Sequence, residues 1–151
     1  MKEKIKPVTV LLSASFYERN SANTEILAKG NRPYLVLVVM YRGLKFAIPF
    51  RSNIQHTHAY KFQVDKSQKQ NSGLDFSKSV LIFNDDELGC PAHLISAERK
   101  ELLKHFNFIV EKFHAYIDDF IEGLKAEPLQ PKYRMSALTY YKETLLKSQK
   151  G

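Results

Sequence analysis

Between Asn31 and Tyr60 the sequence NRPYLVLVVMYRGLKFAIPFRSNIQHTHAY holds two apolar runs, Tyr34–Tyr41 and Leu44–Phe50, separated only by Arg42-Gly43. Two β-forming runs flanking a glycine-containing pair read as a hairpin. The first run is apolar on both faces, which demands cover on both sides and makes it a central strand. Pro49 lacks an amide hydrogen and marks the end of regular pairing in the second. The hairpin then gives way to a polar cluster, Arg51-Ser52-Asn53-Ile54-Gln55-His56-Thr57-His58. A rigid strand end can present such side chains to a ligand, and we place the working site there.

The rest of the chain fits around this hairpin. Val8–Leu12 is a short strand, ended by Ser13-Ala14-Ser15, and Phe16–Asn20 is expected to be a loop. Thr24–Lys29 can form one or two helical turns stopped by Gly30, and Pro33 forces Arg32 into an extended conformation as the chain enters the sheet. Tyr60, Phe62 and Val64 alternate with polar residues as a half-exposed strand, Asp65–Gly73 is a polar loop, and Val80–Phe83 is a further strand. From Ser96 the period changes. Leu102, Leu103, Phe106, Ile109, Val110, Phe113, Tyr116, Ile117, Phe120 and Ile121 form the stripe of a long amphipathic helix, with Ser96 suited to its N-cap and Gly123 to its stop. That stripe is core, and His105 and His114 beside it read as solvated helix residues. Pro128 and Pro131 bound a linker to a shorter helix carrying Met135, Leu138, Tyr141 and Leu145.

Strands first and helices last indicate an α+β fold, a mostly antiparallel sheet with helices packed on it. At 151 residues, 44% apolar and 26% charged, the chain suits one domain, 1–151. It has no apolar run long enough to span a bilayer and no N-terminal apolar segment after Met1–Lys6, so a cytoplasmic protein without membrane contact is expected. The single cysteine, Cys90, has no disulfide or metal-spaced partner and reads as a buried or half-buried structural thiol. GxGxxG, Walker and GxSxG motifs are absent, which removes most support for nucleotide-cofactor folds and α/β-hydrolases.

The net charge is +7, and residues 1–60 carry nine lysines and arginines against Glu3, Glu18 and Glu25. Such an excess attracts polyanions through phosphate contacts or simply confers solubility. In the cluster, Arg51 can hold a phosphate by paired hydrogen bonds, Ser52 can donate another, and His56 can move a proton near neutral pH. RNA carries its own nucleophile, the 2′-hydroxyl, so this set needs no metal to cleave it. The alternatives are a metal site on His56 and His58, whose spacing suits one ion, and a polar strand-end loop with no catalytic task.

The succession Asn31-Arg32-Pro33-Tyr34, an apolar strand, Gly43, Phe46–His56 and Gly73-Leu74-Asp75-Phe76-Ser77-Lys78 resembles the toxins of type III toxin–antitoxin systems. Within the ToxN/AbiQ superfamily it is most similar to the CptN and TenpN branches, over about Val8–Phe83. The resemblance implies a compact, strongly twisted MazF/Kid-like sheet with surrounding helices. It also implies a sequence-specific endoribonuclease active in phage defence, needing no cofactor or metal. Such toxins cut cellular mRNA and process a short, pseudoknotted repeat RNA that inhibits them in a protein–RNA assembly. Aligned on the family's Pro-Leu-Thr-Ser-x-Lys motif, Pro49–Ile54 keeps the serine as Ser52, replaces the threonine with Arg51 and the lysine with Ile54, so the cation falls to Arg51 or His56. Arg32 matches the basic residue before the central strand, Tyr17 the aromatic hydroxyl after the first strand, and Lys78 the Asp-x-Ser-Lys segment.

The expected catalytic residues are therefore Ser52, Arg51, His56, Arg32 and Tyr17, with Lys29, Lys45, Asn53, His58 and Lys78 binding RNA. The expected product is a 2′,3′-cyclic phosphate. A non-catalytic RNA-binding protein using the same basic groove is the alternative, and a protein-interaction domain the third.

Overall fold

The Arg42-Gly43 pair has positive φ at both residues, 46° and 78°, the backbone of a two-residue turn whose twist matches that of the strands it joins. It sets the register of the longest pair in the sheet, from Tyr41 opposite Leu44 to Val36 opposite Pro49. The computed structural model describes residues 7–19, 35–51, 54, 56–62, 72–92, 96–125, 138 and 141–147. In chain order these form β1 (Val8–Leu12), α1 (Ala14–Arg19), β2 (Leu35–Tyr41), β3 (Leu44–Arg51), β4 (Ala59–Lys61), β5 (Gly73–Asp75), β6 (Val80–Ile82), β7 (Leu88–Pro91), α2 (Ser96–Leu124) and α3 (Lys142–Lys147). Short 3-10 turns lie at Phe76–Lys78 and Asp85–Glu87.

The fold is α+β, with a seven-stranded antiparallel sheet in the order β4-β5-β3-β2-β1-β7 and β6 also paired to β3. One margin of β3 is shared. Lys45, Phe46 and Ala47 pair with β6, whereas Phe50 and Arg51 pair with β5. Pro49 falls in the gap between these partners, where no amide hydrogen is missed, so β3 runs on through Arg51 and does not stop at the proline. The path from β6 to β7 then dictates the shape of the sheet. Laid flat, β6 and β7 would stand four strand spacings apart, about 19 Å, and be offset by about six residues, roughly 20 Å. Residues 83–87 include a 3-10 turn, which rises only about 2 Å per residue, and cannot cover that distance. The sheet is therefore strongly curled, bringing its two margins together.

Glu87 fixes this bridge. Its carboxylate is fully buried, and Oε1 accepts from the backbone amides of Phe83 (3.0 Å) and Asn84 (2.9 Å) and from Arg19 Nη1 (2.9 Å). The last bond explains why residues 14–19 are helical where a loop is expected. Phe16 is buried in the core and Arg19 is held by Glu87, so tertiary contacts stabilise a helix too short to form alone. Two other expectations are corrected. Cys90 is exposed, on a strand, β7, that the sequence did not suggest, and Gly73, expected to close a loop, opens β5. Among the described residues the strand after the polar cluster covers Ala59–Lys61, and Val64 lies outside them. Thr24–Lys29, Pro33 and the Pro128–Pro131 linker lie outside the described residues.

The stripe of α2 is core, as its spacing requires: Leu102, Ile109, Phe113, Ile117, Phe120 and Ile121 are buried, while Leu103 is exposed. Phe113 meets Phe46 and Phe76 edge-on at ring distances of 5.3 and 5.4 Å. Further along, His114 Nε2 lies 2.8 Å from the Met40 carbonyl and its ring abuts Tyr41, so this histidine ties helix to sheet. Tyr41 also donates to Asp118. At the other end the Tyr60 hydroxyl donates to Glu101 Oε2 at 2.6 Å, both residues being buried. The helix thus crosses from β4 to the hairpin turn.

Two tests follow from this packing. A Cβ at Gly73 would lie 2.0 Å from the Tyr60 carbonyl oxygen, and backbone cannot yield as a flexible side chain can. Gly73→Ala should lower the urea midpoint by the equivalent of about 3 kcal/mol, and an unchanged midpoint would mean that β4 and β5 are not this close. Burial, then the bond to Glu101 and its charge, raise the Tyr60 hydroxyl well above the usual 10.0. Below that pH both folded and unfolded chains keep the proton; above it the unfolded chain loses it first, so this tyrosine's contribution is lost as pH rises. Tyr60→Phe should cost about 1 kcal/mol at neutral pH and make the alkaline fall in stability shallower. An identical alkaline profile in the variant would refute the burial of this hydroxyl.

Candidate functional site

At the end of β3 the sequence places a charge that a central strand cannot bury, and β5 supplies its partner. Arg51 stands opposite Gly73 in the β3–β5 ladder, and Asp75 is two residues further along β5. Arg51 Nη1 donates to Asp75 Oδ2 at 2.9 Å. Asp75 is wholly buried, whereas the Arg51 side chain is 38% exposed. Asp75 also caps the 3-10 turn that follows it, with Oδ1 accepting from the Ser77 amide (3.1 Å) and the Ser77 hydroxyl (2.6 Å). His56 Nε2 lies 3.1 Å from the same Oδ1 and 3.3 Å from Ser77 Oγ. Four donors from three chain segments therefore converge on one carboxylate, which is how a buried charge is tolerated.

The orientation of His56 follows from its other nitrogen. Nδ1 accepts the backbone amide of His58 at 3.1 Å, so the ring proton is on Nε2, facing Asp75. The 56–58 turn is itself tied down: the His58 carbonyl accepts the Phe76 amide at 3.0 Å, and the His58 ring packs between His56 and Tyr116 of α2. Ile54, at the position where the resembled family has a lysine, is completely buried. The polar side chains that meet Asp75 at this strand end include the Arg51 guanidinium and the His56 imidazole, and Ile54 is buried between them in sequence.

Of the expected site residues, Arg51 and His56 are brought together, and His58 packs beside them. Lys78 follows within the 3-10 turn capped by Asp75. Tyr17 is half-buried against the core on α1; by register the C-terminal ends of β1 and β3 lie two strand spacings apart, about 10 Å. Lys45 is not part of the cluster. It stands six residues back along β3, about 20 Å away, and bonds to Asp85 at 2.8 Å; that bond, and then the charge of Lys45, hold the Asp85 carboxyl below the usual carboxylate range. Ser52, Asn53, Arg32 and Lys29 lie outside the described residues.

Asp75 and Ser77 were missed as functional residues. Asp75-Phe76-Ser77 has the Asp-x-Ser pattern of a capped turn, but nothing local marks the acid as buried. Both nitrogens of His56 are taken by protein groups, which disfavours the paired-histidine metal reading. Among the described residues no three His, Cys, Asp or Glu side chains converge as a metal-binding group. Compared with models of known families, with curated proteins and with solved structures, the chain finds no match in any of the three.

The arrangement presents a guanidinium and an imidazole, each partly exposed and fixed from behind by one buried anion. Such a pair can hold a phosphate and stabilise charge as it builds on one. Asp75→Asn would keep the shape but turn an amide group toward donors only. It should cost about 1–3 kcal/mol in urea unfolding, whereas Asp85→Asn, on the open surface, should leave the midpoint unmoved. Equal effects at the two positions would contradict a convergent buried acid.

Proposed function

We propose that the protein is a metal-independent endoribonuclease, the toxin of a type III toxin–antitoxin system, neutralised in the cytoplasm by a repeat RNA that it processes. The observation that carries this reading is the fixing of Arg51 and His56 on buried Asp75, with both side chains more than one third exposed. The family resemblance along Asn31–Lys78 and the net charge of +7 supply the substrate class.

In this reading the 2′-oxygen attacks the adjacent phosphorus and the 5′-oxygen leaves, giving a 2′,3′-cyclic phosphate and a 5′-hydroxyl. The Asp75-bound Arg51 guanidinium neutralises the phosphorane, its remaining N–H groups facing the phosphate oxygens. Ser52 orients one of those oxygens. His56 Nδ1 takes the 2′-hydroxyl proton once the His58 amide gives way, and Asp75 stabilises the imidazolium that results. Tyr17 returns a proton to the 5′-oxygen. The MazF/Kid-like architecture of the resembled family belongs to the same proposal, and the strong curl of the sheet supports it.

One observation favours the second reading, a non-catalytic RNA-binding protein: both ring nitrogens of His56 are engaged by the protein. Incubation of the purified protein with an array of its candidate repeat RNA, with and without EDTA, separates the two. The expected result is EDTA-resistant cleavage leaving cyclic phosphate ends, reduced about 10²–10³-fold by Arg51→Ala and about 10²–10⁴-fold by His56→Ala. Tight binding without cleavage would select the second reading, and activity lost to EDTA and restored by a divalent ion would overturn the mechanism.

A further inference from the structure

One bond of the Asp75 cluster occupies the nitrogen that a base would use. His56 Nδ1, the ring's acceptor while Nε2 carries the proton, takes the backbone amide of His58 at 3.1 Å. The opposite nitrogen faces the buried acid: Nε2 lies 3.1 Å from Asp75 Oδ1 and 3.3 Å from Ser77 Oγ. A second proton on the ring would enter at Nδ1 and set two N–H donors against each other. The bond to the amide therefore exists only while the ring is neutral.

The two sides of the ring do not yield equally. Asp75 is wholly buried, and a positive ring bonds to a carboxylate more strongly than a neutral one, so a second proton tightens the Nε2 side. On the other side, the amide and the carbonyl of His58 belong to different peptide planes. The carbonyl is tied to the Phe76 amide at 3.0 Å, and the His58 ring packs between His56 and Tyr116. The plane that carries the amide joins His58 to Thr57, which is exposed and lies outside the helices and strands. That plane can rotate without breaking the bond to Phe76.

Charged and titratable groups reach this turn from several elements. Asp75 of β5 is within hydrogen-bond reach of the ring, and Arg51 of β3 bonds to the other Asp75 oxygen. Lys78 ends the 3-10 turn that Asp75 caps. On α2, Lys112 and Asp119 stand one turn either side of Tyr116 and have opposite signs. Lys61 and His105 line, with Thr57 and Lys112, an open groove beside the turn.

We propose that residues 56–58 form a proton-operated latch, closed on a neutral His56 by the His58 amide and opened when Nδ1 takes up a proton, with the ring kept on Asp75 throughout. The closed latch is autoinhibitory, because it fills the nitrogen that acts as base. Its use in catalysis rests on the ribonuclease reading above, in which the proton comes from the 2′-hydroxyl. A proton from bulk water opens the same latch without RNA.

The test is nitrogen and amide-proton NMR of the full chain, labelled with ¹⁵N and free of RNA, across the titration of His56. Above the titration Nδ1 should give the signal of an unprotonated acceptor, and below it that of a protonated nitrogen. The His58 amide resonance should move with the same midpoint, and its exchange, relative to the intrinsic rate at each pH, should rise about 2- to 10-fold, while the Phe76 amide stays protected. His58→Phe keeps the amide and an aromatic ring against Tyr116, and should keep the response. His56→Phe should abolish it and leave the His58 amide open at every pH. A His58 amide that does not follow His56, a response lost in His58→Phe, or a Phe76 amide that loses protection together with His58 would overturn the latch. The expected NMR response from a protein that leaves RNA uncut would keep the latch and sink the ribonuclease reading alone.

Discussion

The Asp75 carboxylate is the interaction on which the functional end of the molecule depends. It is wholly withdrawn from water, a position a carboxylate holds only when its oxygens are saturated with donors. Those donors come from the end of β3, from the turn before β4 and from the 3-10 turn after β5. Each of these segments is short or irregular, and none would hold its conformation alone. The acid that makes Arg51 and His56 available as a pair is thus also the acid that makes β4 and β5 part of the sheet.

Glu87, at the other margin, follows this logic with one oxygen only: Oε1 takes all three donors, and Oε2 is buried without a hydrogen-bond partner among the described residues. It is buried, gathers two backbone amides and Arg19, and fixes the bridge that draws β6 and β7 together. In both places the acid is inside and its arginine more than one third exposed. Each of these two acids is buried with its arginine at the surface, whereas Asp85, Asp86, Glu111, Asp118, Asp119 and Glu122 are exposed. Glu101 is a third buried acid, and it accepts from the hydroxyl of Tyr60, which is buried with it.

Long elements were legible because their burial is periodic. β2 and β3 announce themselves by unbroken β-forming runs around Arg42-Gly43, and α2 by a stripe sustained from Leu102 to Ile121, more than five turns. The short ones were not. β7 reads Leu-Gly-Cys-Pro, a sequence with no strand propensity, and exists because β1 offers a free edge. α1 has one buried side chain and is held by Glu87, a residue 68 positions from Arg19. At the site, Arg51 and His56 could be named because they stand in a polar run after an apolar strand. Asp75 could not be weighed, because its importance lies in what reaches it across the fold.

The split margin of β3 also orders the molecule in time. The bond from Arg51 to Asp75 closes 24 residues, whereas the bond from Thr9 to the Ala92 carbonyl closes 83. By loop entropy alone the shorter closure is favoured by about 1 kcal/mol, and the hairpin that carries Arg51 is more local still. Residues 35–82 contain every group of the polar cluster, so its members leave the ribosome together, before the α2 side chain, Tyr116, that packs on His58. The cluster's own bonds and the helix that packs against it are then separate events of synthesis, joined when the last third of the chain docks.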